Sequence, residues 1–265
     1  MQNNENPEYE LEDIQTQMSK LSGKVAVVTG ASKGIGAAIA KAFAHEGASV
    51  VVNYASSKDG ADKVVDEINS NGGKAIAVGG DVTRQSDAKS IIDAAIKNYG
   101  RLDIVVNNSG VYEFAPVEEI TEEQFHRMFN VNVLGLLLIT QAAIEHLGEG
   151  SSIINIGSGV TRITPPNSAV YTGTKGAVDA ITGVFSREFG AKKIRVNSIN
   201  PGMVETEGTQ TAGFIGSEFQ TELVGQTPLG RIGQPDDIAN VAVFLASDDS
   251  GWLTGEQLLA TGGLR

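Results

Sequence analysis

Residues 27–43, VVTGASKGIGAAIAKAF, place three glycines between an apolar β-branched run and an alanine-rich stretch. The run is typical of a buried strand and the second stretch of a helix, so Gly30, Gly34 and Gly36 predict a tight turn between them. Such a turn directs backbone N–H groups and the positive helix terminus at an anion. We expect Gly30 to permit the turn, Gly34 to admit a phosphate and Gly36 to let the helix pack closely on the strand. The G-x-x-x-G-x-G spacing is neither G-x-G-x-x-G nor a P-loop, so the turn alone also fits ordinary turn chemistry.

The rest of the chain continues this alternation of short β-branched runs with longer amphipathic segments. Strands are predicted at residues 25–29, 49–53, 74–81, 102–108, 152–158 and 194–202. Helices are predicted at residues 34–46, 57–71, 86–99, 132–147, 169–189 and 235–247. The alternation predicts an α/β fold, a single Rossmann-like doubly wound parallel sheet with helices on both faces. Sheets of this kind bind ligands at the carboxyl edge of their strands.

Length and composition indicate one domain. The 265 residues show no composition break, which predicts a polar acidic N-terminal tail at 1–22 followed by one domain at 23–265. The tail is expected to be disordered or to serve as a short arm in an oligomer. The net charge of −12 argues against partners that need a basic face, namely nucleic acids and anionic membranes.

Several kinds of chemistry are excluded by residue content. The chain has no cysteine, which excludes disulfides and thiol chemistry, and its three histidines are scattered without metal-ligand spacing. The first residues lack the pattern of a signal peptide, and no apolar run approaches the ~20 residues that span a bilayer. We therefore expect a cytoplasmic protein with no metal.

Residues 23–263 resemble the short-chain dehydrogenase/reductase family. The resemblance rests on ordered landmarks: TGASKGIG (29–36), GDV (80–82), NNSG (107–110), NVNVLG (130–135), Ser158, YTGTK (171–175) and NPGMVET (200–206). The chain departs from the family pattern at Ser109, where alanine is usual, and at Gly157, where a second serine is common. Neither departure removes a group that the chemistry requires.

The spacing of Tyr171 and Lys175 predicts that the two side chains meet, because residues four apart share one helix face. A neighbouring cation favours the phenolate and brings the tyrosine pKa nearer to working pH. The resemblance implies that Tyr171 exchanges a proton with a carbonyl oxygen while NAD(P)H exchanges hydride with the carbon, and that Ser158 holds that oxygen. It implies that Lys175 also binds the nicotinamide ribose. Asn132 would hold a water that links Lys175 to solvent, or would be a polar residue satisfied locally.

The end of the second predicted strand indicates which cofactor is used. NAD-selective sites usually place an acid about 20 residues after the glycine turn, and this chain has Asn53 there. Lys33 can reach a 2′-phosphate, although it also fits an ordinary solvated lysine. We therefore expect NADPH/NADP+. By resemblance, the cofactor contacts are Gly30, Ser32, Lys33, Gly34, Ile35, Gly36, Asn53, Tyr54, Ser56, Ser57, Asp81, Val82, Asn108, Ser109, Gly110, Tyr171, Lys175, Pro201, Gly202, Val204 and Thr206.

The expected function is hydride transfer between NADPH and a carbonyl or secondary alcohol, with small ketones as substrates. The alternatives are a glucose or polyol 1-dehydrogenase, a 3-oxoacyl-carrier-protein reductase and, more remotely, a non-catalytic NADP-binding scaffold. Glu145 and Glu149 would repel an acidic carrier protein, whereas the nearby Lys192, Lys193 and Arg195 keep that alternative open.

Two expectations concern larger features of the molecule. Residues 206–232 suit a lid over the substrate or, alternatively, a surface helix. A homotetramer follows from the resemblance, with support from apolar residues in 169–189 and 251–263.

Overall fold

The computed structural model describes residues 19–265, and the predicted tail up to residue 18 lies outside the described residues. Residues 19–22 belong to the packed domain rather than to a tail. Leu21 is fully buried in the core, its backbone N–H donates to the Glu46 carbonyl, and Lys20 pairs with Asp249 at 2.6 Å. Residues 19–22 therefore continue directly into the packed domain, because the Leu21 side chain anchors them in its core.

Seven strands form one sheet within the described residues, and every strand pair is parallel. The strands are β1 (Val25–Val28), β2 (Ser49–Tyr54), β3 (Lys74–Gly79), β4 (Ile104–Asn107), β5 (Ser152–Ile156), β6 (Arg195–Pro201) and β7 (Gln257–Ala260). Their spatial order is β3-β2-β1-β4-β5-β6-β7. The predicted doubly wound α/β fold is confirmed.

Helices cover both faces of the sheet. They are α1 (Gly34–His45), α2 (Lys58–Ser70), α3 (Gln85–Tyr99), α4 (Glu122–Phe129), α5 (Gly135–Ala143), α6 (Val160–Ile163), α7 (Ala169–Phe189), α8 (Glu207–Thr211), α9 (Glu218–Gln226) and α10 (Pro235–Ala246). Successive residues of β2 point to opposite faces: Val50 and Val52 pack in one apolar cluster and Val51 in the other. This explains why the strands are continuous apolar runs rather than alternating ones.

One predicted helix has a different start. The segment predicted at 132–147 begins with a π-helical turn, Asn130–Leu134, before α5. Single π-helical turns inside helices are frequently found at functional sites.

The strand order places the ligand-binding edge of the sheet. From β1 the chain runs outward to β2 and β3, and then returns to β4 on the other side of β1. A crevice opens at such a switch point, at the carboxyl ends of the strands. Thr29 closes its base, since its hydroxyl accepts hydrogen bonds from the backbone N–H groups of Asn108 and Ser109, both at 3.0 Å.

Residues 19–265 hold neither a membrane-spanning helix nor a cluster of potential metal ligands. In that range no helix is long and apolar enough to cross a membrane, and no three histidine or acidic side chains cluster in a way that could hold a metal ion.

Candidate active site

The glycine turn lies at the carboxyl end of β1. Gly30 and Gly34 have φ values of +59° and +57°, a left-handed backbone conformation that side chains disfavour. Gly36 is required by close packing instead, because a Cβ there would lie 2.4 Å from the Asn108 side-chain nitrogen and 2.7 Å from the Gly30 carbonyl oxygen. The turn is therefore held against β4 as well as against its own helix.

Asn53 supports this turn from inside the protein. Its side chain is buried, with the amide oxygen accepting from the Gly30 N–H at 3.2 Å and the amide nitrogen facing the carbonyls of Tyr54, Val78 and Gly80. The polar atoms of this side chain are directed at the backbone, so a contact between Asn53 and the cofactor stays a prediction. Asn53 influences a ligand through the shape of the turn.

The outer rim of the crevice carries hydroxyls and a free cation. Lys33 is the N-cap residue of α1 and is exposed, and its ammonium makes no hydrogen bond or ion pair with residues 19–265. Ser56 and Ser57 are exposed beside it, and Ser32 lies against Gly60 at the start of α2. The remaining predicted contacts of this region, Tyr54 and Ile35, are partly buried.

The ends of β3 and β4 form the floor of the crevice. The Asp81 carboxylate accepts hydrogen bonds from the backbone and the hydroxyl of Thr83, at 2.9 and 2.8 Å. The Val82 side chain points into the core, where a Cβ on Gly135 would lie 2.6 Å from it. After β4, the Asn108 amide donates to the carbonyls of Thr29 and Gly30. The predicted contacts Asn108, Ser109 and Gly110 thus follow the glycine turn directly.

Ser158 and Tyr171 meet at the carboxyl edge. Ser158 lies two residues after β5, and Tyr171 is the third residue of α7. Burial raises the pKa of the Tyr171 phenol above its ordinary value of 10.0, although interaction with the Ser158 side chain acts in the opposite direction. Tyr171 therefore holds its proton at neutral pH.

Lys175 lies one helical turn further and is almost fully buried. Its ammonium donates to the Ile156 carbonyl at 2.8 Å and lies 5.9 Å from the centre of the Tyr171 ring. Burial lowers the lysine pKa to about 8, with Asp179 acting in the opposite direction. The expected lowering of the Tyr171 pKa by Lys175 is not what the structure shows, because the ammonium is directed at the backbone of β5.

Asn132 joins three segments around Lys175. Its amide exchanges two hydrogen bonds of 2.8 Å with the backbone of Val111 and donates to the Thr174 hydroxyl at 3.0 Å. Thr174 donates in turn to the Tyr171 carbonyl. The side chain is thus satisfied locally, as the alternative interpretation expected, and it fixes the loop after β4 to α7.

The segment after β6 reaches back to the glycine turn. Pro201 ends β6, Gly202 packs against the backbone of Thr261, and Val204 is buried beside Gly233. Thr206 caps α8, and its methyl group would be 3.3 Å from a Cβ on Gly34.

Glu207 contacts the same turn and was not singled out from the sequence. Its carboxylate accepts a hydrogen bond of 3.0 Å from the Gly34 N–H. A carboxylate oxygen therefore occupies the position where the turn presents an anion-binding donor. Nothing in the local sequence indicates this contact, because Gly34 and Glu207 are 173 residues apart.

An aromatic cluster lies beside Tyr171. Sequence patterns singled out the segment 206–232 but not the two aromatic residues after β4. Tyr112 and Phe114, in the loop after β4, lie 6.1 and 6.0 Å from the Tyr171 ring centre. Phe214, which follows α8, lies 6.2 Å from Tyr112 and 5.8 Å from Phe114. The segment at 206–232 thus packs over the site. In the sequence, the signal for this cluster was the presence of two aromatic residues, Tyr112 and Phe114, directly after NNSG (107–110).

The charged residues invoked against a carrier protein lie at the other edge of the sheet. Glu149 precedes β5 and pairs with Lys193, which precedes β6, whereas Ser158 follows β5. A five-residue strand separates the two edges by roughly 16 Å. Arg195 is buried and donates to the carbonyls of Leu245 and Ser247 and to the Ser250 hydroxyl. The electrostatic argument from these residues is wrong, because they do not face the site.

A family model described as enoyl-(acyl carrier protein) reductase matches residues 30–265, which include the glycine turn, Ser158, Tyr171 and Lys175. The chain belongs to the short-chain dehydrogenase/reductase family. Within this family, an uncharacterized oxidoreductase of Methylorubrum extorquens is 65% identical over 248 residues, which are 94% of this chain and 100% of that protein. The hydroxynaphthalene reductase-like protein Arp2 of Metarhizium robertsii is 42% identical over 92% of this chain and 95% of its own length.

A solved structure of the short-chain dehydrogenase/reductase family agrees with these matches. The angucycline C-6 ketoreductase LanV with bound NADP superposes with a TM-score of 0.87 and 38% identity, over 93% of this chain and 97% of that one. The resemblance inferred from the sequence is confirmed, and the chain is an oxidoreductase of this family.

Proposed function

We propose that this protein is an NADPH-dependent carbonyl reductase that converts ketones to secondary alcohols in the cytoplasm. The observation on which the proposal depends is the convergence of Ser158, Tyr171 and Lys175 within the crevice that the glycine turn opens. A non-catalytic scaffold would need the crevice but not this set. The relatives named as a hydroxynaphthalene reductase-like protein and a ketoreductase support the same reaction.

The residues present fit a dinucleotide with a 2′-phosphate. The Gly34 N–H already bonds one anionic oxygen, that of Glu207, which demonstrates the donor that a pyrophosphate would use. Lys33, Ser56 and Ser57 provide an unpaired cation and two exposed hydroxyls at the rim for the 2′-phosphate. The remaining residues predicted to line the cofactor are Gly110, Pro201, Gly202, Val204 and Thr206, at the same edge. NADPH, when bound, supplies the hydride.

The chain's own groups handle the carbonyl oxygen and its proton. The Ser158 hydroxyl orients the oxygen and donates to it as negative charge develops. Tyr171 supplies the proton, and its raised pKa keeps that proton available at neutral pH. Lys175, with a pKa of about 8, replaces it from a position against the Ile156 carbonyl. The Asn132 side chain, through its hydrogen bonds to the Val111 backbone and the Thr174 hydroxyl, positions the loop after β4 against these groups.

The charge on the segment over the site favours an uncharged substrate. Residues 205–226 contain four glutamates and neither lysine nor arginine. An acidic carrier protein approaching this edge would meet like charges, which disfavours a 3-oxoacyl-carrier-protein substrate. The aromatic rings around Tyr171 similarly favour an apolar ketone over glucose or another polyol.

The test is a nicotinamide-absorbance assay over ketones, sugars and 3-oxoacyl thioesters, run in both directions with NADPH and with NADH. We expect ketone reduction with NADPH, with kcat/KM at least tenfold above that for NADH. Lys33→Ala should lower kcat/KM for NADPH while leaving NADH unaffected, because only NADPH carries the 2′-phosphate. Oxidation of glucose at a higher kcat/KM than reduction of any ketone, or equal use of both cofactors, would contradict the proposal.

A further inference from the structure

The exposure of Phe114 is unusual for its position. It is 42% exposed although its ring contacts the Tyr171 and Phe214 rings, and Phe219 at the outer end of the cluster is 46% exposed. Apolar rings left open to solvent next to the reacting groups form a surface that a flat apolar ligand would cover.

The arrangement of the rings favours an aromatic occupant in particular. Phe114 meets Phe214 at an interplanar angle of 88° and Tyr171 at 63°, both edge-to-face contacts with centroids about 6 Å apart. Rings prefer this geometry because the positive edge of one meets the negative face of the other. Because the Phe114 ring is 42% exposed, part of its surface is available for another ring to meet in the same way.

The cluster also spans two separate elements. Tyr112 and Phe114 come from the loop after β4, whereas Phe214 comes from the connection between α8 and α9. Asn132 fixes the first loop through the backbone of Val111, so Tyr112 starts from an anchored position. The rings consequently have a defined place relative to the Tyr171 hydroxyl.

We propose that Tyr112, Phe114 and Phe214 determine specificity by binding an aromatic ring fused or attached to the ketone, so that aryl-bearing ketones are the substrate class. This rests on the proposed carbonyl reductase function. The aromatic ring of the substrate packs on Phe114 while its carbonyl oxygen reaches Ser158 and Tyr171. A saturated ring of equal size fills the same space without the edge-to-face attraction.

The experiment compares 2-tetralone with 2-decalone, which share a fused bicyclic frame and an unconjugated carbonyl. We expect wild-type kcat/KM to favour 2-tetralone, and Phe114→Leu and Phe214→Leu each to lower the 2-tetralone to 2-decalone ratio by 3- to 10-fold. Phe114→Tyr should restore the ratio because it restores the ring. Phe125→Leu is the matched control, since Phe125 is also 42% exposed but stacks on Phe129 outside the cluster.

Two readouts separate this inference from folding defects and from the proposed function. The melting temperature and the Kd for NADPH should stay unchanged in the leucine variants. A ratio unaffected by both leucine substitutions would overturn the inference while leaving ketone reduction intact. If neither ketone is turned over, calorimetric binding of the two ketones to the NADP+ complex still decides: equal Kd values would overturn the aromatic preference, whereas the proposed function is decided by the wider substrate panel.

Discussion

Burial shifts the pKa values of both Tyr171 and Lys175. The two directions suit Tyr171 as the proton donor and Lys175 as the group that resupplies its proton. Burial disfavours the charged form of each group, so it raises the tyrosine pKa and lowers the lysine pKa to about 8. The phenol stays protonated and the ammonium becomes the more acidic of the two. This arrangement differs from the phenolate–ammonium pair that the four-residue spacing suggested.

At the residue scale, Tyr171→Phe should lower kcat for ketone reduction at least 100-fold, because general acid catalysis contributes about 10²–10⁴-fold. The Kd for NADPH, measured by fluorescence titration, should change less than threefold. Tyr99→Phe is the control, since Tyr99 is a partly buried tyrosine at the end of α3. A Tyr171→Phe variant that kept more than a tenth of wild-type kcat would refute the assignment.

A second residue-scale prediction follows from the pKa of Lys175. The buried ammonium binds its proton less tightly in the folded chain than in the unfolded one, where the pKa is 10.5. Below pH 8 the lysine is charged in both the folded and the unfolded chain, and the folded protein bears the full cost of burying that charge. As the pH rises from 8 toward 10.5, the folded chain loses the proton first, so the free energy of unfolding increases over that window. Relative to Lys175→Met, the wild-type free energy of unfolding in urea should rise by about 2 kcal/mol between pH 8 and 9.5. A constant difference between the two proteins would show that Lys175 is not buried as an ammonium.

At the scale of elements, the contact between α8 and α1 links the segment over the site to cofactor binding. Glu207 is the first residue of α8, and its carboxylate bonds the N–H at the start of α1. A pyrophosphate approaching that N–H must displace the carboxylate and overcome its charge. The two helices therefore cannot keep this contact while the turn binds an anion in the same place.

Glu207→Gln should accordingly tighten NADPH binding by about 3- to 10-fold, the effect of removing one nearby like charge. The measurement is the Kd by calorimetry. Glu218→Gln is the matched control, because Glu218 opens α9 on the same acidic segment without a hydrogen bond to the turn among the described residues. Equal tightening by both variants would indicate general charge repulsion instead of competition for the Gly34 N–H.

At the scale of the whole molecule, apolar surface on α5 and α7 favours a homotetramer, the assembly expected from the family. A cavity of about 310 Å³ between the two helices is lined by five apolar residues and two polar ones: Leu137, Leu138, Ile144, Phe185, Phe189, Thr140 and Gln141. Nearby Val184 is 52% exposed, and Trp252, in the loop before β7, is 98% exposed. A tetramer with two kinds of symmetric contact needs two separate apolar regions, and the α5/α7 surface and the surface at Trp252 are two such regions.

Light scattering at micromolar concentration should give about four times the chain mass of 27.7 kDa. Val184→Glu should reduce the assembly by placing a charge in one contact, and Trp252→Ser should weaken the other. Each variant is expected to yield dimers, since it leaves the second contact intact. A wild-type protein of single-chain mass would contradict the tetramer.

The sequence by itself determined the fold class, the glycine turn and the pairing of Tyr171 with Lys175, whereas Ser158 and the roles of all three residues came from the family resemblance. These features depend on short-range patterns: strand and helix periodicity, the backbone freedom of glycine, and a four-residue spacing on one helix. Each pattern is complete within a few residues, so no knowledge of distant contacts is needed to recognise it.

Only the tertiary structure decided where the remaining side chains point. The Asn53 side chain turns inward because the turn after β1 and strand β3 present backbone groups on either side of it. Glu149 lies away from the site because it precedes β5, whereas the site lies at the carboxyl end of that strand. Phe114 and Phe214, exactly 100 positions apart, become neighbours only when the loop after β4 and the segment after β6 meet at one edge. Strand order and register bring such residues together, and neither can be derived from periodicity, which repeats along the chain and carries no information about partners across the sheet.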